Sequence, residues 1–155
     1  SVHKVFGEIG ISNCFIWSLD NRTFYFADTL DKRVYRYDYD HRSGAVSNRR
    51  PFVEFTGNGG PDGGTIDEEG FLWITHFDGW RVIRVAPDGR IDREIRLPTS
   101  RPTSAMFGGP QLDTLYVTTA IWDSTPEQLK SQKNAGGLFA LDVGVRGVPE
   151  PRFAG

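Results

Sequence analysis

What most constrains the fold of this chain is a block of sequence written three times. Each copy has a short lead-in, a strand-like run, a turn rich in acidic residues or glycine, an aromatic-rich strand and a further strand. The first copy passes from Ser12-Asn13 through Phe15-Ile16-Trp17, the turn at Asp20-Asn21 and Thr23-Phe24-Tyr25-Phe26 to Arg33-Val34-Tyr35-Arg36-Tyr37-Asp38. The second passes from Pro61-Asp62 through Thr65-Ile66-Asp67, the turn Glu68-Glu69-Gly70 and Phe71-Leu72-Trp73-Ile74 to Arg81-Val82-Ile83-Arg84-Val85. The third passes from Pro102-Thr103 through Ala105-Met106-Phe107, Gly108-Gly109-Pro110 and Thr114-Leu115-Tyr116-Val117 to Leu138-Phe139-Ala140-Leu141-Asp142. Asn13, Asp62 and Thr103 stand 49 and 41 residues apart, a period that fits propeller blades and not a sandwich, whose strands do not repeat as blocks. Fourth strands are expected over 48–55 and 93–97, and residues 4–9 read as the outer strand of a preceding blade.

The rival helical reading finds little support, because Gly or Pro interrupts nearly every window of useful length. The exception is an insertion in the third copy, residues 121–135, where Ser124-Thr125-Pro126-Glu127-Gln128-Leu129-Lys130 predicts a short N-capped helix with Pro near its first turn. It should be an excursion over one face. Eleven Phe, five Tyr and four Trp in 155 residues favour strands, so the chain is expected to be all-β. A net charge of -2 gives no basic footprint for nucleic acid. Apolar runs such as Cys14-Phe15-Ile16-Trp17 fall far short of the roughly 20 residues of a membrane span. A single cysteine, Cys14, cannot form an internal disulfide, which points to a reducing, cytoplasmic compartment.

In a propeller the innermost strands line the axis, and equivalent residues of successive blades converge on one mouth. Asn13 and Asp62 would then bring an amide oxygen and a carboxylate together, an oxygen environment suited to a divalent cation. A plainer reading stands beside this one: Asn13 as a turn residue bonding its own backbone, and Asp62, between Pro61 and Gly63-Gly64, as a β-turn acid. The three histidines, His3, His41 and His76, form no recognisable pattern with Cys14. His76 is expected to be a hydrogen-bonded packing residue, and Trp17, Trp73 and Tyr116 to be core between blades.

Several stretches, taken in order, resemble the senescence marker protein/gluconolactonase/regucalcin family. They are Ile11-Ser12-Asn13-Cys14-Phe15-Ile16-Trp17-Ser18-Leu19-Asp20, Phe24-Tyr25-Phe26-Ala27-Asp28, Ser47-Asn48-Arg49-Arg50, Gly60-Pro61-Asp62-Gly63, Asp67-Glu68-Glu69-Gly70-Phe71-Leu72-Trp73 and Arg101-Pro102-Thr103-Ser104-Ala105-Met106-Phe107-Gly108-Gly109. The end, through Pro151-Arg152-Phe153-Ala154-Gly155, is similar too. The resemblance implies a six-bladed β-propeller, of which residues 1–155 supply about three C-terminal blades of four-stranded antiparallel sheets, starting near 11, 60 and 101. It also implies an axial divalent metal (Ca, Zn, Mg or Mn) held by Asn13, Asp62 and a Glu from a part of the family pattern that has no counterpart here. Asp62 would in addition act as acid/base in hydrolysis of a small-molecule sugar lactone. The alternative is a non-enzymatic calcium-binding or ligand-binding propeller module. An incomplete propeller leaves open blade faces, through which self-association is a further expectation. One departure from the pattern bears on the site: Cys14 stands where the family has Gly, and if that position needs a positive φ, a Cβ there is strained.

Overall fold

A computed structural model describes residues 2–150. These form two four-stranded antiparallel sheets and one three-stranded sheet. The first sheet holds β1 (Ser12–Trp17), β2 (Thr23–Asp28), β3 (Arg33–Asp40) and β4 (Ala45–Glu54). The second holds β5 (Gly60–Ile66), β6 (Leu72–Phe77), β7 (Arg81–Val85) and β8 (Ile91–Arg96). The third holds β9 (Pro102–Gly108), β10 (Thr114–Thr119) and β11 (Leu138–Asp142). Each sheet is a meander in chain order, and β1, β5 and β9 are the edge strands that pack beside one another. That is the arrangement of neighbouring propeller blades, with β1, β5 and β9 innermost.

Side-chain alternation explains the stacking, since successive residues of a strand point to opposite faces. In β2, Tyr25 and Ala27 join Ile16, Val34, Leu72, Ile74 and Ile83 in a core between the first and second sheets. Phe24 and Phe26 point the other way, clustering with Tyr35 and Tyr37 on the outward face. In the second sheet Trp73 and Val82 face Ala105, Phe107, Leu115 and Val117 of the third. The middle sheet is therefore covered on both faces, and burying each of its large aliphatic residues contributes roughly 1.5–3 kcal/mol. At the turn closing β5 into β6, Asp67 is fully buried. Its Oδ2 accepts from Trp73 Nε1 at 2.9 Å and from Arg84 Nε and Nη2 at 2.8 and 2.7 Å, while Oδ1 accepts the N–H groups of Glu69 and Phe71.

Three expectations are corrected. Residues 4–9 form no strand; Phe6 instead stacks on Tyr37 and meets Phe26 edge-on. A lone strand with no partner leaves its backbone unpaired, whereas the aromatic face of the first sheet gives Phe6 and Ile9 apolar surface to cover. Tyr116 lies on the uncovered face of the third sheet with Met106 and Leu138, because β11 and β10 alternate exposed and covered positions there. His76 is fully buried against Phe55, but neither ring nitrogen finds a hydrogen-bond partner among the described residues.

The insertion carries the expected helix, α1 (Pro126–Ser131), with Thr125 as N-cap in a reciprocal capping box with Gln128. It leaves from the end of β10, where Thr119 pairs with Pro102, so it lies at the same end of the stack as Asn13, Asp62 and Thr103. The motif residues 151–155 lie outside the described residues. No helix among the described residues is long and apolar enough to cross a membrane.

Candidate functional site

All three inner strands carry a one-residue irregularity at the same end. On β1, Asn13 pairs with Ala27 and Ile16 with Tyr25, so three steps on one strand oppose two on the other. On β5, Pro61 pairs with His76 and Gly64 with Ile74. On β9, Pro102 pairs with Thr119 and Ser104 with Thr118. Asn13 is the last paired residue before its bulge, and Asp62 and Thr103 lie within theirs. A bulge adds a residue to one strand, bends it and re-aims a side chain out of the ladder. The repeat of sequence is thus also a repeat of local geometry.

Cys14 sits in the first bulge at φ +50°, the left-handed region where a Cβ is strained by about 1–2 kcal/mol. The position does adopt the conformation that suits glycine. The thiol is nonetheless packed, 2% exposed, and burial together with the neighbouring Asp62 charge pushes it up to about 12. It is a protonated packing group and not a nucleophile. Glycine is needed in the second bulge for another reason: a Cβ on Gly63 would stand 2.8 Å from the Thr103 carbonyl oxygen and 2.6 Å from Ser104 Oγ. Its absence lets β9 close against β5.

The site residues are held by the turn between β2 and β3. Asp28 accepts from the N–H groups of Gly10 at 2.8 Å, Ile11 at 3.2 Å and Leu30 at 3.1 Å, which pins the chain as it enters β1. Burial alone would raise this carboxyl, but those backbone donors outweigh it and hold it below the usual range. Asn13 Nδ2 donates to Thr29 Oγ1 at 2.8 Å, and Thr29 Oγ1 donates to the Pro61 carbonyl at 2.7 Å. A single hydroxyl therefore links the first sheet to the residue that precedes Asp62. Thr103 is differently engaged, its hydroxyl 2.7 Å from that of Thr118.

Asp62 is half-buried, and among the described residues it has no cationic partner. Burial pushes its carboxyl up to about 6, offset in part by the Gly63 N–H. A half-buried carboxylate without a counter-charge, on the strand neighbouring that of an amide whose nitrogen is already committed to Thr29, is a donor set whose chemistry suits a hard cation. The set is small. No cluster of three or more His, Cys, Asp or Glu residues that could hold a metal occurs among the described residues.

Sequence reasoning singled out Asn13 and Asp62 but assigned nothing to Thr29 or Arg101. Arg101 is buried two residues before Thr103; its Nε donates to Asp78 Oδ1 at 2.7 Å and its Nη1 to Ser124 Oγ at 2.7 Å and to the Trp122 carbonyl. Behind α1, Gln132 Oε1 accepts from the Ser100 N–H at 2.7 Å and from Thr99 Oγ1 at 3.2 Å. The insertion is thus pinned at both ends, with Trp122 left 71% exposed beside Phe77. Every one of these partners is remote in sequence, so no local pattern announces them.

Comparison with known proteins gives a consistent answer. A family model described as the SMP-30/Gluconolactonase/LRE-like region matches residues 1–121. Regucalcin of Gallus gallus is 41% identical over 158 residues, covering 100% of this chain and 53% of the relative. Regucalcin of Homo sapiens is 40% identical over 157 residues, covering 99% of this chain and 52% of the relative. Among solved structures, a calcium-binding protein, regucalcin from Agrobacterium tumefaciens str. C58, superposes with a TM-score of 0.92 at 32% identity, over 97% of this chain and 52% of that one. The chain spans about half the length of the curated relatives it matches. Repeat, sheet order, bulged inner strands and sequence likeness agree: the chain belongs to the SMP-30/gluconolactonase/LRE-like family.

Proposed function

We propose that the polypeptide to which this half-propeller contributes hydrolyses a sugar lactone, with Asn13 and Asp62 as oxygen ligands to a divalent cation and Asp62 as the general base. The observation that carries the reading is the pair of bulges that sets Asn13 and the uncompensated Asp62 at the same end of adjacent inner strands. A divalent cation held there supplies polarisation of the lactone carbonyl and acidification of water. Asp62 takes up the proton released as water attacks, and returns it to the alkoxide as the ring opens. Asn13 holds its position through Thr29. Two protein oxygens are far from the six to eight that Ca²⁺ prefers, so the 155 residues alone are expected to be a poor catalyst. The remaining ligand and the contacts to the sugar come from blades outside this chain.

The test is hydrolysis of gluconolactone by the full-length polypeptide with Ca²⁺, Zn²⁺, Mn²⁺ or Mg²⁺ added singly. Asp62→Ala is expected to lower the rate at least roughly 100-fold, the scale of a lost general base. A rate unchanged by that substitution overturns the assignment. A second reading draws on the description of the Agrobacterium relative as calcium-binding: the cation is then structural, and Ca²⁺ binding persists without turnover on any lactone.

The outer faces of the stack bear on assembly. A groove of about 490 Å³ runs between residues 4–9 and the first sheet, lined by Phe6, Phe15, Trp17, Phe24 and Phe26. Met106, Tyr116 and Leu138 are exposed on the third sheet. Apolar faces of this kind are association surfaces. We take them as the faces that further blades cover, and in the isolated chain as the route to self-association, measured by light scattering.

A further inference from the structure

We propose that Thr29 is a positioning residue that decides which end of the Asn13 amide is turned toward the axis. The proposal rests on the reading of Asn13 and Asp62 as cation ligands. A carbonyl oxygen can only accept, so the 2.7 Å contact between Thr29 Oγ1 and the Pro61 carbonyl consumes the one proton of the hydroxyl. Oγ1 is left with lone pairs. Asn13 lies 2.8 Å from that same oxygen and must therefore present its Nδ2, because Oδ1 in that place would set lone pair against lone pair. The planar carboxamide then turns Oδ1 away from Thr29. Thr29 stands on the turn that follows β2, the strand on the outer side of β1, and we take the side of the amide away from it as the axial side. The direction of the amide is fixed by the chemistry of a carbonyl in the neighbouring sheet.

The same hydroxyl spans two sheets. Asn13 and Thr29 belong to the first, and Pro61, immediately before Asp62, to the second. One side chain thus sets both the orientation of the amide and the approach of the two strands that bear the ligands. Thr29 is itself held firmly. Its N–H bonds the Ile11 carbonyl at 3.1 Å, and Asp28 before it is fixed by three backbone donors. A Cβ on Gly60 would stand 2.7 Å from the Thr29 carbonyl oxygen and 2.8 Å from its Cγ2, so the bare glycine admits this close approach. Without the hydroxyl, the terminal torsion of asparagine is broad and nearly two-fold, and half of its orientations would face a cation with an NH₂ group.

The test is isothermal titration of Ca²⁺ alone and Zn²⁺ alone into the full-length polypeptide and its variants. Thr29→Val keeps the shape and removes the hydroxyl; by the scale of outer-sphere partners of metal ligands it is expected to weaken binding roughly 10- to 100-fold, with Thr29→Ser within about threefold of the native protein. Native affinity in a folded Thr29→Val protein overturns the proposal. If Thr29→Val does not fold, the unsubstituted protein decides by NMR. A hydrogen-bonded Asn13 Nδ2 proton that keeps its shifted resonance on saturation with Ca²⁺ supports the relay, and a return to the free-amide position overturns it. Asn13→Ala and Asp62→Ala separate the two levels. Loss of binding in both but not in Thr29→Val leaves the ligands standing and removes the relay, whereas no loss in either removes the ligand assignment and this proposal with it.

Discussion

The junction between the first and second sheets and the junction between the second and third are closed at the same end by opposite chemistry. Thr29, directly after β2, makes a neutral relay from Asn13 to the Pro61 carbonyl. Asp78, directly after β6, makes an ion pair with Arg101, which goes on to grip Ser124 and the Trp122 carbonyl and lies 5.3 Å over the Phe77 ring. The first arrangement places no fixed cation next to Asp62, so among the described residues that carboxylate is left without a counter-charge. The second commits its charge to anchoring an excursion of the chain, where a bound metal would gain nothing from it. Two equivalent turns thus divide the work: one orients an amide, the other holds a loop.

At the far end of the second sheet the Asp67–Arg84 pair is wholly inside the protein, Arg84 also reaching Glu69 and Asp92. Asp67→Ala leaves Arg84 only the more exposed Glu69 and Asp92 and takes the acceptor from the buried Trp73 indole N–H, and a loss of about 3–5 kcal/mol in urea unfolding is expected; an unchanged midpoint would show that charge inside these sheets matters little. At the second junction, Arg101→Ala removes charge-assisted bonds and is expected to cost about 2 kcal/mol. Its effect should be local. Hydrogen exchange should quicken over 121–135 and leave the amides around Asn13 unchanged, and spread of the effect to β1 would erase the distinction between the junctions.

The first junction has its own liability in His76, buried against Phe55 between the first two sheets. Burial, followed by the positive charges of Arg81 and Lys32, pulls its pKa from 6.5 down to about 3. The unfolded chain therefore takes up this proton at a higher pH than the folded one. The contribution is complete above pH 6.5 and drains away as pH falls toward about 3, with a slope of about 1.4 kcal/mol per pH unit. His76→Leu should flatten that part of the stability profile, and a profile identical to the native one would falsify the assignment. The smallest effect is expected at Cys14→Gly. Relief of the left-handed backbone, about 1 kcal/mol, opposes loss of a buried side chain worth about as much, so thermal melts should shift by less than about 1 kcal/mol equivalent. A larger change in either direction would mean that the thiol sets the shape of the bulge.

Much of the fold is legible in the residues because its signals are local. Alternation in Thr23-Phe24-Tyr25-Phe26-Ala27-Asp28, acidic and glycine turns, and the capped helix at Thr125-Pro126 each act within a few positions, and their threefold recurrence points to stacked sheets. Residues 4–9 misled for the same reason: their pattern is strand-like, but a strand is defined by a neighbour. His76 was expected to be hydrogen-bonded, and nothing nearby in sequence says that it packs against Phe55 instead. Asn13 and Asp62 stood out through the repeat and the family resemblance. Thr29 did not, since its partners lie 16 and 32 positions away.

The sequence by itself determined the periodicity, the all-β character, the family and the residue types available at one end of the stack, because propensity, turn chemistry and repetition are properties of short segments. Tertiary structure alone decided that the Cys14 backbone is left-handed, that Gly60 and Gly63 admit close neighbours, and that the Asn13 amide offers its nitrogen to Thr29. Those outcomes depend on which proton meets which lone pair once separate sheets have closed on one another, and that meeting exists only in three dimensions.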